Sequence, residues 1–317
     1  VTDAHKATYF IPHRGALLCS WNHVEWTMSM LIEKHLRPRE RDLGGFTVRR
    51  VLPYGGGRGV GPFVFFDHMG PARFPPSHGV DVRPHPHIGL ATVTYLFEGE
   101  IIHRDSLGSV QPIRPGDVNW MVAGEGIVHS ERTAPEEKAR GPRLHGIQAW
   151  LALPLAEEER TPGFWHHPAA SLPEIATDGA RLTLIAGNFA GERSPVRTFS
   201  PTFYLDARFE SGGRVELPAA LGQRAVHVID GVLVLDGTEI VAGEMAILAD
   251  GADAAVVATA ACRAMLLGGA VLEGPRYIWW NFVSSSKARI ERAKDDWKQG
   301  RFAPVPNDNE FIPLPGD

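Results

Sequence analysis

Short runs of Val, Ile, Phe, Tyr and Thr, cut by clusters of Gly and Pro, dominate the chain from Phe46 onward. Runs of this length are too brief for helices, and their β-branched and aromatic residues suit a pleated sheet. Residues 46–52, 62–66, 91–97, 101–104, 117–122 and 146–153 read as one series of strands, with turns at Glu98-Gly99, 106–108 and 115–117. That spacing predicts antiparallel strands in a sandwich or barrel. Between Leu155 and about Pro173 the pattern lapses into a charged, proline-containing stretch, where a domain boundary is expected. A second series follows at 182–186, 202–207, 214–217, 225–229, 232–235, 244–248, 255–257 and 262–267. Two series of similar rhythm suggest an internal duplication.

One helix is predicted near the end. Ser286 can cap it, Ile290, Ala293 and Trp297 share a face, and Gly300 can stop it. Lys287 with Glu291 and Arg292 with Asp296 stand four residues apart, where they can pair. Before the first strands, residues 1–29 hold no hydrophobic period and are predicted to be a loosely packed extension.

Composition narrows the function classes. The chain of 317 residues exceeds what one hydrophobic core usually serves, which fits two domains. A formal net charge of −5, with basic residues scattered, argues against a nucleic-acid protein. Cys19 and Cys262 form neither a disulfide framework nor a CxxC motif, so a reducing cytoplasm is expected. No apolar run reaches a membrane span, and neither export nor membrane insertion is predicted.

The candidate chemistry lies in two pairs, His85-Pro-His87 and His129-Ser-Glu131. Residues two apart on a strand share a face, so neighbouring strands can aim all four side chains at one ion. Three imidazoles and a carboxylate, without thiolates, suit Fe, Mn, Co, Ni, Cu or Zn rather than the all-oxygen shells of Mg²⁺ and Ca²⁺. Four protein ligands on an octahedral ion leave two open positions. The other histidines carry less: His166-His167 are adjacent and point apart on a strand, and His103 can line the cavity behind the ligands. The run Gly55–Gly61 has no phosphate-binding register and reads as a hairpin loop. No nucleophile elbow is present, so a serine hydrolase finds no support.

The stretches Arg83-Pro-His-Pro-His-Ile-Gly89, Tyr95–Gly99, Pro115-Gly-Asp117, Ala123–Glu131 and His145–Pro154, with Asn281–Lys287 near the end, resemble the pirin family of the cupin superfamily. The resemblance runs from about residue 32 to 303. It implies an all-β bicupin of two antiparallel jelly-roll barrels with a short C-terminal helix: a metal-binding cupin at 30–160 and a metal-free cupin at 161–317. It also implies Fe²⁺ held by His85, His87, His129 and Glu131. The usual cupin carboxylate is missing near Ala91 and Thr92, so Glu131 must supply it. The second half has only the isolated His227, expected to be a core or cavity residue. The implied activity resembles that of bacterial quercetin 2,3-dioxygenase-like pirins: iron-dependent cleavage of quercetin or a related flavonol with O₂, Glu131 serving as base. Two other readings stay open. One is a non-catalytic redox-sensing regulator that binds a protein partner; the other is a Zn²⁺ hydrolase.

Overall fold

The first strand series folds into two facing antiparallel sheets, because its alternating runs present one apolar side to each layer. The larger sheet runs in the order β12 (Gly163–His167), β9 (Val118–Val122), β6 (Leu90–Glu98), β11 (Arg143–Ala152), β4 (Phe63–Arg73), β3 (Thr47–Leu52) and β2 (Arg39–Asp42). The smaller runs β5 (Asp81–His87), β10 (Ile127–Arg132), β7 (Ile101–Asp105) and β8 (Val110–Ile113). This computed structural model describes residues 31–42 and 46–316; the predicted extension at 1–29 lies outside the described residues.

The second series repeats the arrangement. Its larger sheet runs β1 (Ile32–Leu36), β21 (Met245–Leu248), β18 (Gln223–Asp230), β23 (Cys262–Gly269), β16 (Thr202–Phe209), β14 (Ala180–Phe189) and β13 (Glu174–Thr177), with β15 (Glu192–Arg193) beside β14. Its smaller sheet runs β17 (Arg214–Leu217), β22 (Ala254–Ala258), β19 (Val232–Leu235) and β20 (Thr238–Val241). Strands β2 to β11 thus find counterparts in β13, β14 and β16 to β23 in the same spatial order, with β15 an addition, so the duplication is legible as topology. The expected barrels are jelly rolls of this facing-sheet kind. Among the described residues no hydrogen-bonded seam joins the larger sheet of either half to the smaller.

One slot breaks the repeat. In the first roll the edge beside β9 is taken by β12, which follows in sequence, whereas the matching edge beside β21 is taken by β1 from the other end of the chain. The closing segment crosses the opposite way. The hairpin of β24 (Tyr277–Trp279) and β25 (Phe282–Ser284) docks on the first roll, with Val283 N donating to Ile88 O at 3.2 Å. Farther on, Ile312 N donates to Pro84 O at 2.9 Å.

The two larger sheets pack face to face. Phe63, Phe66, Tyr95 and Ile147 share one buried cluster with Tyr204, Ala225, Met265 and Leu267. The Tyr95 hydroxyl donates to Asp206 Oδ2 at 3.0 Å, and the rings of Phe63 and Tyr204 meet edge to face at 5.3 Å. Within the second roll, Val215, Leu217, Leu233, Ala254 and Val256 fill the space between sheets with hydrocarbon. In the first roll the matching strands β5, β7 and β10 carry His85, His87, His103, Asp105, His129 and Glu131. That contrast locates the chemistry.

The predicted helix is present as α2, numbered after the short α1 (Pro135–Arg140); α2 spans Lys287–Lys298. Ser286 Oγ accepts from Arg289 N, Ile290 and Ala293 are buried, and Gly300 takes a left-handed φ of 63°. The expected charge pairs differ: Glu291 pairs with Lys294 at 2.8 Å and Asp296 with Arg301 at 2.6 Å, while Lys287 sits over the Tyr277 ring. Strand β4 runs on to Arg73, well past the predicted end at 66, because its later half lies beside β11 and carries polar residues. Residues 55–61 form the hairpin loop, with Tyr54 and Arg58 exchanging backbone hydrogen bonds of 2.9 Å. Among the described residues no helix is long and apolar enough to cross a membrane.

Candidate metal centre

Antiparallel pairing of β10 with β5 sets His129 opposite His85 and Ile127 opposite His87. The i,i+2 spacing on each strand then turns the three imidazoles inward, where their donor nitrogens lie within 4.8 Å of one another. All three rings are buried. Among the described residues this is the one cluster of three or more His, Cys, Asp or Glu donors that converge in this way.

The outer nitrogens of two rings are fixed by main-chain carbonyls. His85 Nδ1 donates to Arg83 O at 2.9 Å, and His87 Nδ1 donates to Asn281 O at 3.1 Å. Each neutral ring has one N–H, so both Nε2 atoms carry bare lone pairs. Nε2 of His87 stands 3.0 Å from Nε2 of His129. Two nitrogens bound at right angles to one ion, each at about 2.1 Å, are about 3 Å apart. The separation therefore fits a shared cation.

Burial supplies the electrostatic side of the fit. It pulls the pKa of His85 down to about 4 and those of His87 and His129 well below the usual range, with mutual repulsion of the rings adding to the effect at His87 and His129. The imidazoles are neutral at pH 7, the form that ligates metals.

Glu131 lines the same cavity but stands apart from the converging trio. Its Oε1 lies 3.3 Å from both Thr94 Oγ1 and Gln148 Nε2, and the Thr94 hydroxyl lies closer to Gln148 Oε1, at 2.6 Å. The β10–β5 register shifts between His129 and Glu131, placing Glu131 opposite Val82. Burial pushes its carboxyl pKa upward.

The cavity has a volume of about 390 Å³ and opens between the sheets of the first roll. One wall is a stack: Trp150 lies 3.9 Å from the Phe65 ring at 11°, its edge meets His87 at 5.1 Å, and the Arg50 guanidinium covers Phe65 at 4.3 Å. Arg50 is held in plane by two bonds to Asp67, at 2.8 and 2.9 Å. Trp280, Asn281 and Ile312, all from the closing segment, complete the cavity lining. A larger hollow of about 560 Å³ on the far side of the smaller sheet, between Arg104 and Asp308, lacks the imidazoles.

The Pirin family model matches residues 45–151, and a Pirin C-terminal cupin domain matches residues 204–303. The chain belongs to the pirin family. A pirin-like protein of Caulobacter vibrioides is 51% identical over 281 residues, covering 87% of this chain and 97% of that one. A pirin of Arabidopsis thaliana is 30% identical over 285 residues, covering 86% and 94%. The crystal structure of a quercetin 2,3-dioxygenase from Acinetobacter baumannii superposes with a TM-score of 0.81 at 33% identity, over 90% of this chain and 96% of that one.

Other histidines take the places foreseen for them. His166 Nδ1 bonds Asn119 Oδ1 at 2.7 Å on β12, away from the cavity. His227 is buried between the two rolls, 3.1 Å from His68 Nδ1 and edge-on to Phe66 at 5.0 Å. Thr94, Gln148, Trp150 and Asn281 were not singled out by sequence reasoning as site residues. The first three are ordinary strand residues, and Asn281 acts through a carbonyl that any residue possesses.

Proposed function

We propose that this pirin is a metal-dependent dioxygenase that cleaves quercetin or a related flavonol with O₂, using Fe²⁺ held by His85, His87 and His129 with Glu131 as fourth ligand. The observation that carries the reading is the trio of inward Nε2 donors opening onto a flat-walled cavity of about 390 Å³, within the size range that encloses a small aromatic ligand. The likeness to the Acinetobacter baumannii quercetin 2,3-dioxygenase supports the substrate class. A bound divalent transition metal supplies Lewis acidity toward an enolic oxygen and access to O₂.

The chain's own residues do the rest. The Phe65–Trp150 wall orients a planar ring system, and the Arg50 guanidinium beside it attracts an oxygen-bearing edge. Glu131 would accept the proton of the flavonol 3-hydroxyl: beside a bound dication the carboxylate starts ionised, and Gln148 can donate to its Oε1. Trp280 and Ile312, which line the cavity, add apolar surface against the bound ring.

The test is anaerobic purification with metal quantification, followed by O₂ uptake with quercetin and other flavonols. We expect iron-dependent uptake, lost in His85→Ala and Glu131→Ala and kept in His227→Ala. A metal-loaded protein inert toward every flavonol rules the reading out.

A further inference from the structure

His129 differs from the other two imidazoles in having no main-chain carbonyl on its outer nitrogen. Its Nδ1 lies 3.4 Å from Nδ1 of His103, and Nε2 of His103 lies 3.0 Å from Oδ2 of Asp105. Cross-strand register places the three together: on β7, Asp105 stands opposite His129 and His103 opposite Glu131. Asp105 is wholly buried, and its other oxygen accepts the backbone N–H of Leu107 at 2.9 Å and of Ser109 at 3.0 Å. The His103 ring is clamped flat against Phe164, 4.3 Å away at 10°.

Proton counting along this line leaves one arrangement. An ionised carboxylate only accepts, so His103 donates from Nε2 and its Nδ1 is left as a bare lone pair. Facing that lone pair, His129 donates from Nδ1 and its Nε2 is left bare. With His103 neutral, the opposite tautomer of His129 would set its Nδ1 lone pair against that of His103 and turn an N–H toward His87 Nε2, 3.0 Å away, where a shared cation needs a lone pair; a buried bond left unmade costs about 1–3 kcal/mol.

We propose that His103 and Asp105 are positioning residues for the metal, locking His129 as the Nδ1–H tautomer so that its Nε2 joins those of His85 and His87. The inference rests on the metal-site reading above and assigns these two residues a role outside the four ligands. In the second roll the corresponding strand β19 buries Leu233 and Leu235, and no imidazole there needs orienting.

Three full-length proteins test it. His103→Phe keeps a ring against Phe164 but removes both hydrogen bonds, whereas His103→Asn puts an acceptor back near the Nδ1 position. Zn²⁺ and Fe²⁺ affinities are measured by chelator competition, and the His129 tautomer by ¹⁵N NMR of metal-free, histidine-labelled protein. We expect Nδ1–H at His129 in the parent, a roughly 10–100-fold weaker affinity with mixed tautomers in His103→Phe, and recovery in His103→Asn. Unchanged affinity in His103→Phe, or a parent His129 protonated on Nε2, overturns the proposal. The parent's tautomer decides the matter even where His103→Phe does not fold. A parent that binds neither metal defeats the proposed function instead, which the tautomer measurement distinguishes.

Discussion

A buried imidazole is neutral, and what it can do depends on which nitrogen keeps its proton. Here three of them keep it on the outer side, and that choice is made by groups with very different visibility in the sequence. The convergence of His85, His87 and His129 is legible because i,i+2 spacing on a strand has a geometric meaning, whereas Glu131 shares the cavity but stands apart from the trio. Arg83 and Asn281 were not legible, since their carbonyls carry no side-chain signature. Thr94 and Gln148 were hidden for another reason: they reach Glu131 from the facing sheet, so their relation to it exists only after folding. Thr94→Val removes the hydroxyl that bridges Glu131 and Gln148. We expect a loss of about 1–3 kcal/mol for the polar groups left short of a partner, read as a lower urea midpoint in metal-free protein.

Among the elements, the long apolar runs and the amphipathic α2 are the most legible, whereas short or polar elements leave little trace. Helix α2 shows its buried side through Ile290 and Ala293, but α1 buries no side chain and left only Pro135 at its start and Gly141, at φ 76°, at its end. Strand β4 was cut short because Asp67 and His68 interrupt the hydrophobic run, although both are buried by partners on other strands. Ser286→Ala, which deletes the α2 cap, is expected to cost about 1 kcal/mol. Equilibrium denaturation followed by far-ultraviolet circular dichroism checks this. The metal affinity should hold within a few-fold, since the cap lies outside the cavity.

For the whole molecule, the seam between the two rolls adds to the acid response that the cavity imidazoles bring through their own lowered pKa values. His227 is held at a pKa of about 3 by burial, with Arg49 adding repulsion, and burial lowers His68 as well. In the unfolded chain both return to about 6.5. Between those values the unfolded state binds more protons, so the stability these groups contribute is full above pH 6.5 and falls as pH drops toward 3. The slope is on the order of 1.4 kcal/mol per pH unit for each group. Urea midpoints at pH 7.5 and 5.5 should therefore diverge, and the gap should shrink in His227→Gln; equal gaps would place the acid sensitivity elsewhere. The duplicated topology itself was foreshadowed by the two strand series. The crossing of the chain ends was not, because no local pattern reveals which edge a strand will join.

That crossing has a consequence for the protein as it leaves the ribosome. Strand β1 emerges early and has no sheet to join until β21 is made, so an unpaired edge is carried through most of synthesis. The cavity is delayed as well. The three histidines are all translated by residue 129, but the carbonyl that orients His87 belongs to Asn281, and the cavity lining is complete only with Ile312. A nascent chain therefore displays its imidazoles long before it can hold them in register, and metal capture in the finished geometry follows translation of the closing segment.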